Sequence, residues 1–458
     1  MKTTGFSKDT MTIKATLDAR VNDLRPRQLN AFADIYKIQV ADKTDIYALD
    51  SITVRADNDS GMQRVLVRAP FGRLRVAGDF NYQTVAATAQ AIIGKHLSAA
   101  TDTTAMPGEH RDLTLNGAVF IPKSMQRLFP DVEMDKPLFL RGRLSSDSAL
   151  LWANLNLDRL RYDSFFVDTF QVKLRADTSI MTANVLLGAL RHPTIPLERT
   201  TIDAKAQNGL LDFDLQINDK KQEAKYALGG KLHYLEGDSL LFSLKEKLLL
   251  NKMDWSAAGG NKIVIKKGNL SFADVGFMRQ DQQLRIFTKE AARDTTMPAI
   301  TVELKDFRLA TLTSIIEKDT ALINGIANGA ITVSNLEATP ILDGDLKIDS
   351  LRAMGTAVGD LALKANSTAD KAYTLDARIT GNDNDVELSG TYSDEMDFTL
   401  SLQSLNMKSV EPFTFGNVSK MSGSANGRIT LQGTADRPRI RGNLHFNEAM
   451  EYGEHDQR

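Results

Sequence analysis

The chain contains no cysteine. That excludes disulfides, thiolate nucleophiles and cysteine-held metal centres, and leaves the redox compartment open. Long apolar runs are missing too. None approaches the roughly 20 residues of a membrane-spanning helix, and Met1 to Lys14 lacks the apolar stretch of a secretory signal. No charge of one sign dominates: 56 Lys and Arg stand against 58 Asp and Glu, a net charge of −2 at pH 7. With no long basic run, nucleic acid is not expected as a partner. The two tryptophans, Trp152 and Trp255, lie too far apart in sequence to suggest a sugar-stacking platform.

Catalytic signatures are absent in the same way. The six histidines, His96, His110, His192, His233, His445 and His455, share no metal-ligand spacing. No phosphate-binding loop, dinucleotide fingerprint or nucleophile elbow is present. Asp383 to Glu387 resembles a calcium loop but lacks the glycine at its sixth position and the glutamate at its twelfth, so it reads as a hairpin turn. Asp57 to Gly61 reads the same way. No catalytic residue, cofactor or metal is expected, and the chain is not expected to be an enzyme.

What is present is alternation. A hydrophobic fraction of 42% with 25% charged residues is that of a folded chain. Apolar residues recur at every second position, which gives a strand one apolar and one polar face. A glycine sits repeatedly on the apolar side: Gly78 follows Leu74 and Val76 and precedes Phe80; Gly117 lies among Leu113, Leu115 and Val119; Gly142 follows Leu138 and Leu140; Gly230 lies between Leu228 and Leu232; Gly390 follows Leu388. Glycine there leaves a gap in the side-chain layer and lets a strand bend or bulge. Many such bends would curl the sheet into a trough with an apolar wall; the plainer reading is a set of sandwich or barrel strands that tolerate glycine.

A repeat organises the last third of the chain. Gly329 to Ile348, GAITVSNLEATPILDGDLKI, answers Gly427 to Phe446, GRITLQGTADRPRIRGNLHF, at an offset of 98 residues without a gap. Pro340 and Pro438, Gly344 and Gly442, and Leu346 and Leu444 keep the same offset. Ungapped agreement of this length indicates a repeated structural unit. Its apolar parity adds Ile331, Val333, Leu342, Leu346 and Ile348 to the expected wall in one copy, and Ile429, Leu431, Ile440, Leu444 and Phe446 in the other. Gly344 and Gly442 join the bending positions.

These features predict an all-β-dominated fold: an elongated, curled antiparallel sheet of taco or half-pipe form, repeat-like, with a few short helices. The helices are expected at Pro26 to Phe32, Thr84 to His96, Pro122 to Phe129 and Leu309 to Ile316. Strands are expected at Thr12 to Val21, Tyr47 to Ala56, Gln63 to Ala69 and Arg73 to Tyr82, and then almost without pause from Asp112. The organisation reads as a β-meander plus helix over 1–98, a continuous β-repeat region over 99–297, one repeat unit over 298–396 and a truncated second copy over 397–458.

The phrase strand, glycine, polar turn, proline, strand, glycine, preceded by a short Leu/Ile-rich helix and a Gly-x-x-x-Gly approach, resembles the repeat of the TamB family, the AsmA-like large subunit of the translocation and assembly module of Gram-negative envelopes. Gly423, Gly427, Ile429, Leu431, Gly433, Pro438, Ile440, Gly442 and Leu444 carry the resemblance, with Gly325, Gly329, Ile331, Val333, Pro340, Gly344 and Leu346. The close match covers about a third of the chain. The resemblance implies a periplasmic β-structure with a hydrophobic groove, anchored to the inner membrane in the full-length protein. It implies work in outer-membrane biogenesis, by phospholipid passage between membranes or by barrel assembly and secretion with a TamA-like or Bam-type partner. The inner-membrane anchor and the barrel-facing module are not found in this sequence, so an internal segment is expected.

An acyl chain lying along the apolar wall would gain on the order of 0.8 kcal/mol per buried CH₂. Selective passage would need an unbroken lining and an open edge, and no catalytic group. The alternative is a structural or adhesive β-repeat protein with a closed, dry core and no ligand. A carbohydrate-active β-solenoid enzyme is the third reading.

Overall fold

Alternation becomes strand along almost the whole chain in the computed structural model, which describes residues 12–41, 46–97, 111–122, 125–126, 129, 131–193, 196–235, 239–266, 269–289, 299–315, 323–335, 339–368, 372–414, 418 and 420–447. Strands make up 72% and helices 7%; the 31 strands among the described residues belong to one antiparallel sheet that does not close into a barrel. The all-β antiparallel fold class is therefore as the pattern predicts. The chain divides into two compact units, Met1–Phe242 and Ser243–Arg458.

In the first unit the strands are β1 Thr12–Asp23, β2 Asn30–Ala41, β3 Ile46–Leu49, β4 Ile52–Asp59, β5 Met62–Ala69, β6 Gly72–Asp79, β7 Asp112–Val119 and β8 Val132–Met134. They continue as β9 Leu138–Ser145, β10 Leu150–Tyr162, β11 Phe165–Ala176, β12 Met181–Arg191, β13 Thr200–Gln207, β14 Leu210–Asn218 and β15 Ala224–Leu235. Helix α1 is Val85–Leu97. Strand β16, Ser239–Leu244, spans the boundary between the units. The second unit holds β17 Lys247–Leu250, β18 Met253–Ala257, β19 Lys262–Lys266, β20 Asn269–Ala273, β21 Val275–Arg279, β22 Gln282–Lys289 and β23 Ala299–Arg308. After helix α2, Leu309–Ile315, come β24 Ile323–Ser334, β25 Ile341–Ala353, β26 Thr356–Ser367, β27 Tyr373–Gly381, β28 Asn384–Tyr392 and β29 Met396–Asn406. Helix α3, Met407–Val410, then leads to β30 Ser424–Thr434 and β31 Arg437–Asn447.

Two local expectations are corrected. Pro26 to Phe32 is not a helix: Pro26 and Arg27 form a turn closed by the Gln28 N–H, which donates to the Arg25 carbonyl, and β2 begins at Asn30. The 12-residue β2 pairs with β1 on one side and with β3 and β4 on the other, and these ladders outweigh local propensity. Its alternation is hidden in sequence because the register with β1 shifts beside Lys37, which has φ 52°. Tyr47 to Ala56 is not one strand but the end of β3 and the start of β4. Helices α1 and α2 lie where the spacing predicts them. Of Pro122 to Phe129, the described residues show the Met125 N–H donating to the Pro122 carbonyl and the Phe129 N–H to the Met125 carbonyl.

Because the side-chain period is two, unbroken register carries each face from strand to strand. In the first unit one in-register apolar row runs Ala33, Val54, Val67, Leu74, Gly117, Leu140, Leu155, Val172, Val185, Ile202, Leu215, Leu228. In the second, Ile286, Val302, Ile331, Gly344, Ala365, Leu375, Gly390, Phe398, Leu431 and Ile440 form another. The opposite face is polar: Arg285, Glu303, Ala330, Asp345, Lys364 and Asp376 stand side by side there.

The 98-residue repeat is physical. The β23–β24 register shifts between Leu304 and Phe307, and the β29–β30 register shifts between Leu402 and Leu405. Gly329 and Gly427 have φ of 135° and 146°, and at either a Cβ would lie 2.1 Å from a main-chain oxygen of the next strand. That conformation and that closeness admit only glycine. A buried amide supports each short helix. The Gln282 Oε1 accepts from the Arg308 N–H at 3.1 Å and from the Thr311 hydroxyl at 3.1 Å. The Asn384 Oδ1 accepts from the Asn406 N–H at 2.7 Å, and its Nδ2 donates to the Ser409 hydroxyl at 2.8 Å. A hairpin turn lies at Asn382 and Asp383, both with positive φ, so of the turn expected over Asp383 to Glu387 only Asp383 belongs to it, and Asn384 onward is β28.

Candidate apolar groove

Five strands of the second unit, β27 to β31, build an open cavity of about 360 Å³ lined by Leu375, Leu388, Phe398, Leu400, Ile429, Leu431 and Ile440. Every lining side chain is apolar. Two neighbouring rows supply them. Leu375, Gly390, Phe398, Leu431 and Ile440 stand in one; Ala377, Leu388, Leu400, Ile429 and Gly442 stand in the next. The small residues sit between larger ones, and Phe398 lies over Gly390. Ile440 remains 70% exposed, on a strand exposed along its whole length. With no ionisable group in the lining, the site offers dispersion and water exclusion, not charge recognition.

The expected wall residues divide into an open set and a covered set. Ile331, Leu346, Leu388, Ile429, Leu431 and Ile440 share the two rows just described, extended through β24 to β26. Val333 and Leu342 face each other in the row beyond. Leu444, beside Gly427, and Phe446, beside Ala425, continue the face on β31 and are 39% and 49% exposed. Ile348 belongs to the same face but is buried.

In the first unit, Leu74, Leu140 and Leu228 share one row, with Val76 and Leu115 in the next, Val119 opposite Leu138, and Leu232 opposite Leu211. Phe80 and Leu113 are not open wall. They are buried with Leu144, Ala176, Met181 and Ala206 beneath α1, whose Ile92 is wholly enclosed. A ligand cannot reach them while α1 is in place.

The glycines expected to bend strands also divide. Gly78 has a φ of 148° and no room for a Cβ. At Gly117, Gly142, Gly230, Gly344, Gly390 and Gly442 the register passes without a shift. At four of them the gap is taken by a side chain across the strand, and at Gly142 and Gly442 the neighbouring main chain approaches closely. Leu74 and Leu140 lie over Gly117, Phe213 and Phe242 over Gly230, Ile331 over Gly344 and Phe398 over Gly390. Glycine rescued by a cross-strand apolar side chain keeps the layer continuous.

Leu375, Phe398 and Leu400 are lining residues that the glycine motif does not mark, because β29 carries no glycine and that of β27, Gly381, stands at the end of the strand. Plain alternation along Tyr373 to Ile379 was the available signal. A larger cleft of about 800 Å³ in the first unit is polar, and its groups satisfy one another: Arg27 pairs with Asp79, the Asn22 side chain donates to that of Asn30, and the Asn58 side chain to the Arg27 carbonyl. Among the described residues no group of three or more His, Asp or Glu could hold a metal, and no helix is long and apolar enough to cross a membrane. No family model, curated protein or solved structure matches the chain.

Proposed function

We propose that this chain is a segment of a periplasmic scaffold of the TamB type, whose apolar sheet face carries phospholipid acyl chains in outer-membrane biogenesis. The observation that supports the reading most directly is the wholly apolar cavity on β27 to β31, open at Ile440 and continuous in register with the rows of β22 to β26. An acyl chain is unbranched, uncharged and flexible. An open apolar strip of Leu, Ile and Phe binds such a chain through area alone, at about 25 cal/mol per Å² removed from water. Neighbouring positions along the rows are chemically alike, so the chain moves among them with little change in energy. The periplasmic setting, inner-membrane anchoring, and a TamA-like or Bam-type barrel partner rest on the resemblance of the Gly325–Leu346 and Gly423–Leu444 segments.

A fluorescent fatty acid tests the proposal. The expected result is saturable binding that competes with phospholipid and is lost when Ile331, Leu346, Ile429 or Leu444 is replaced by Asp, with β-content by circular dichroism retained. Unchanged capture by all four variants would overturn it. The α1-covered cluster supports the second reading, a dry structural core, for its own part of the first unit. If no fatty acid binds anywhere, that reading extends to the whole chain.

A further inference from the structure

The polar face of β6 to β12 carries something the apolar face does not explain. Read across the sheet, Arg75, Asn116, Arg141, Asn154, Lys173 and Asn184 stand in one register row, cation and amide in turn, before the row turns acidic at Asp203, which accepts from the Asn184 side chain, and Asp214. Strands are about 4.8 Å apart, so the cations recur at roughly 9.6 Å. In the adjoining row Trp152 stands between Arg143 and Arg175, with Thr182 beyond. On the near side Arg68 and Arg73 are directly opposite each other, an arrangement that costs stability when nothing neutralises it. Some exposed cations of the sheet have carboxylate partners: Arg143 of the adjoining row with Asp112, and in the second unit Lys364 with Asp345 and Arg378 with Asp385. Arg68, Arg73, Arg75, Arg141 and Lys173 make no salt bridge among the described residues, and all are exposed. In a chain of net charge −2 this is a local concentration of unneutralised positive charge.

The rows also form a hollow. Trp152, Asn154, Lys173, Leu174, Arg175, Thr182 and Asn184 line a cavity of about 340 Å³. Its chemistry is mixed in a specific way: one half-buried indole, one leucine, two carboxamides, one hydroxyl and two cations. The carboxamides are donors and acceptors at once, the pattern that sugar hydroxyls require. The indole offers a flat apolar surface for the face of a pyranose ring, and the cations offer charge-assisted bonds to an acidic substituent.

We propose that this face binds an acidic polysaccharide, a sugar polymer bearing carboxylates at regular intervals. One ring is held over Trp152, its hydroxyls are met by Asn154 and Asn184, and successive acidic groups are met by Lys173, Arg141 and Arg75 along the row. Single-stranded nucleic acid fits less well, because such sites stack successive bases on several aromatic side chains and this face has one at the hollow. The proposal is independent of the acyl-chain reading, since the two faces are opposite in parity and share no residue.

Oligogalacturonate titrated into the full chain tests it by tryptophan fluorescence. Trp255 is 5% exposed, so the change reports on Trp152. Binding should weaken with added salt and be absent for the uncharged galactose oligomer. Lys173→Gln and Arg141→Gln should each weaken it about tenfold, the effect of one charge-assisted bond. Both side chains are exposed, and unchanged circular dichroism will confirm that folding is retained. Absence of oligogalacturonate binding overturns the proposal. So does equal or tighter binding of oligothymidylate, binding confined to phosphatidylglycerol vesicles, or affinity unaffected by both substitutions.

Discussion

The α1 cluster of the first unit and the β27–β31 strip of the second are built from the same pattern and meet different fates. Both are strands with apolar residues at every second position and glycines interposed. In the first, a 13-residue helix lies over the face and encloses Phe80, Leu113 and Leu144, with Ile92 at its centre. In the second, the neighbouring α3 has four residues, and the rows from Leu375 to Ile440 stay uncovered. A helix of three turns presents a full apolar stripe, whereas four residues present barely one turn. Whether an apolar sheet face becomes core or groove is decided by the length of the segment that crosses it.

That contrast can be broken from the covered side. Ile92→Ala should cost about 2–5 kcal/mol, the usual range for emptying a packed site, and Ile92→Asp more, since a buried unpaired charge is added. Urea denaturation would read both; a cost under about 1 kcal/mol would show that α1 is not what closes this face. The next effect concerns the amide beneath α3. Asn384→Ala removes the acceptor for the Asn406 N–H and the donor to Ser409, and should cost about 1–3 kcal/mol.

From the open side the effect on stability nearly vanishes while that on binding persists. Ile440→Asp should change stability by no more than about 0.5 kcal/mol, because the side chain is mostly in water already, yet it should weaken fatty-acid binding severalfold. Loss of fold in that variant would mean Ile440 is packed in solution. The smallest effect is at Asp177, whose carboxyl is held below the usual carboxylate range by the Ser179 and Ile180 N–H groups. A depressed acid contributes stability that is present above its unfolded pKa and lost as pH falls through the folded one. Asp177→Asn should therefore lower stability slightly at neutral pH, leave it unchanged at strongly acid pH, and so flatten the acid limb of the stability curve below about pH 4.

Much of this was legible in the residues. Alternation along Leu74 to Phe80 or Ile429 to Leu431 specifies a strand and its two faces, and the spacing of Val85, Ala89, Ile92 and Ile93 specifies α1. The 98-residue offset marked the paired glycines at 329 and 427, while the matching register shifts emerged only in the structure. Strand β2 was hidden because a bulge at Lys37 reverses its parity halfway. Leu375, Phe398 and Leu400 escaped notice because the glycine motif is a mark of some strands and not of the groove. The cluster around Trp152 was invisible for a different reason: Trp152, Lys173 and Asn184 lie on three strands and share no spacing until the ladders align them.

The chain's own residues determined that it would be strand-rich, antiparallel and two-faced, and where its repeat would fall, because a period of two and the conformational range of glycine act within a few residues of each other. Which apolar stretch is roofed and which stays open, and which scattered cations and amides become neighbours, was decided only in three dimensions. Those outcomes depend on the register between strands and on where a short helix comes to rest, and neither is a property of any single segment.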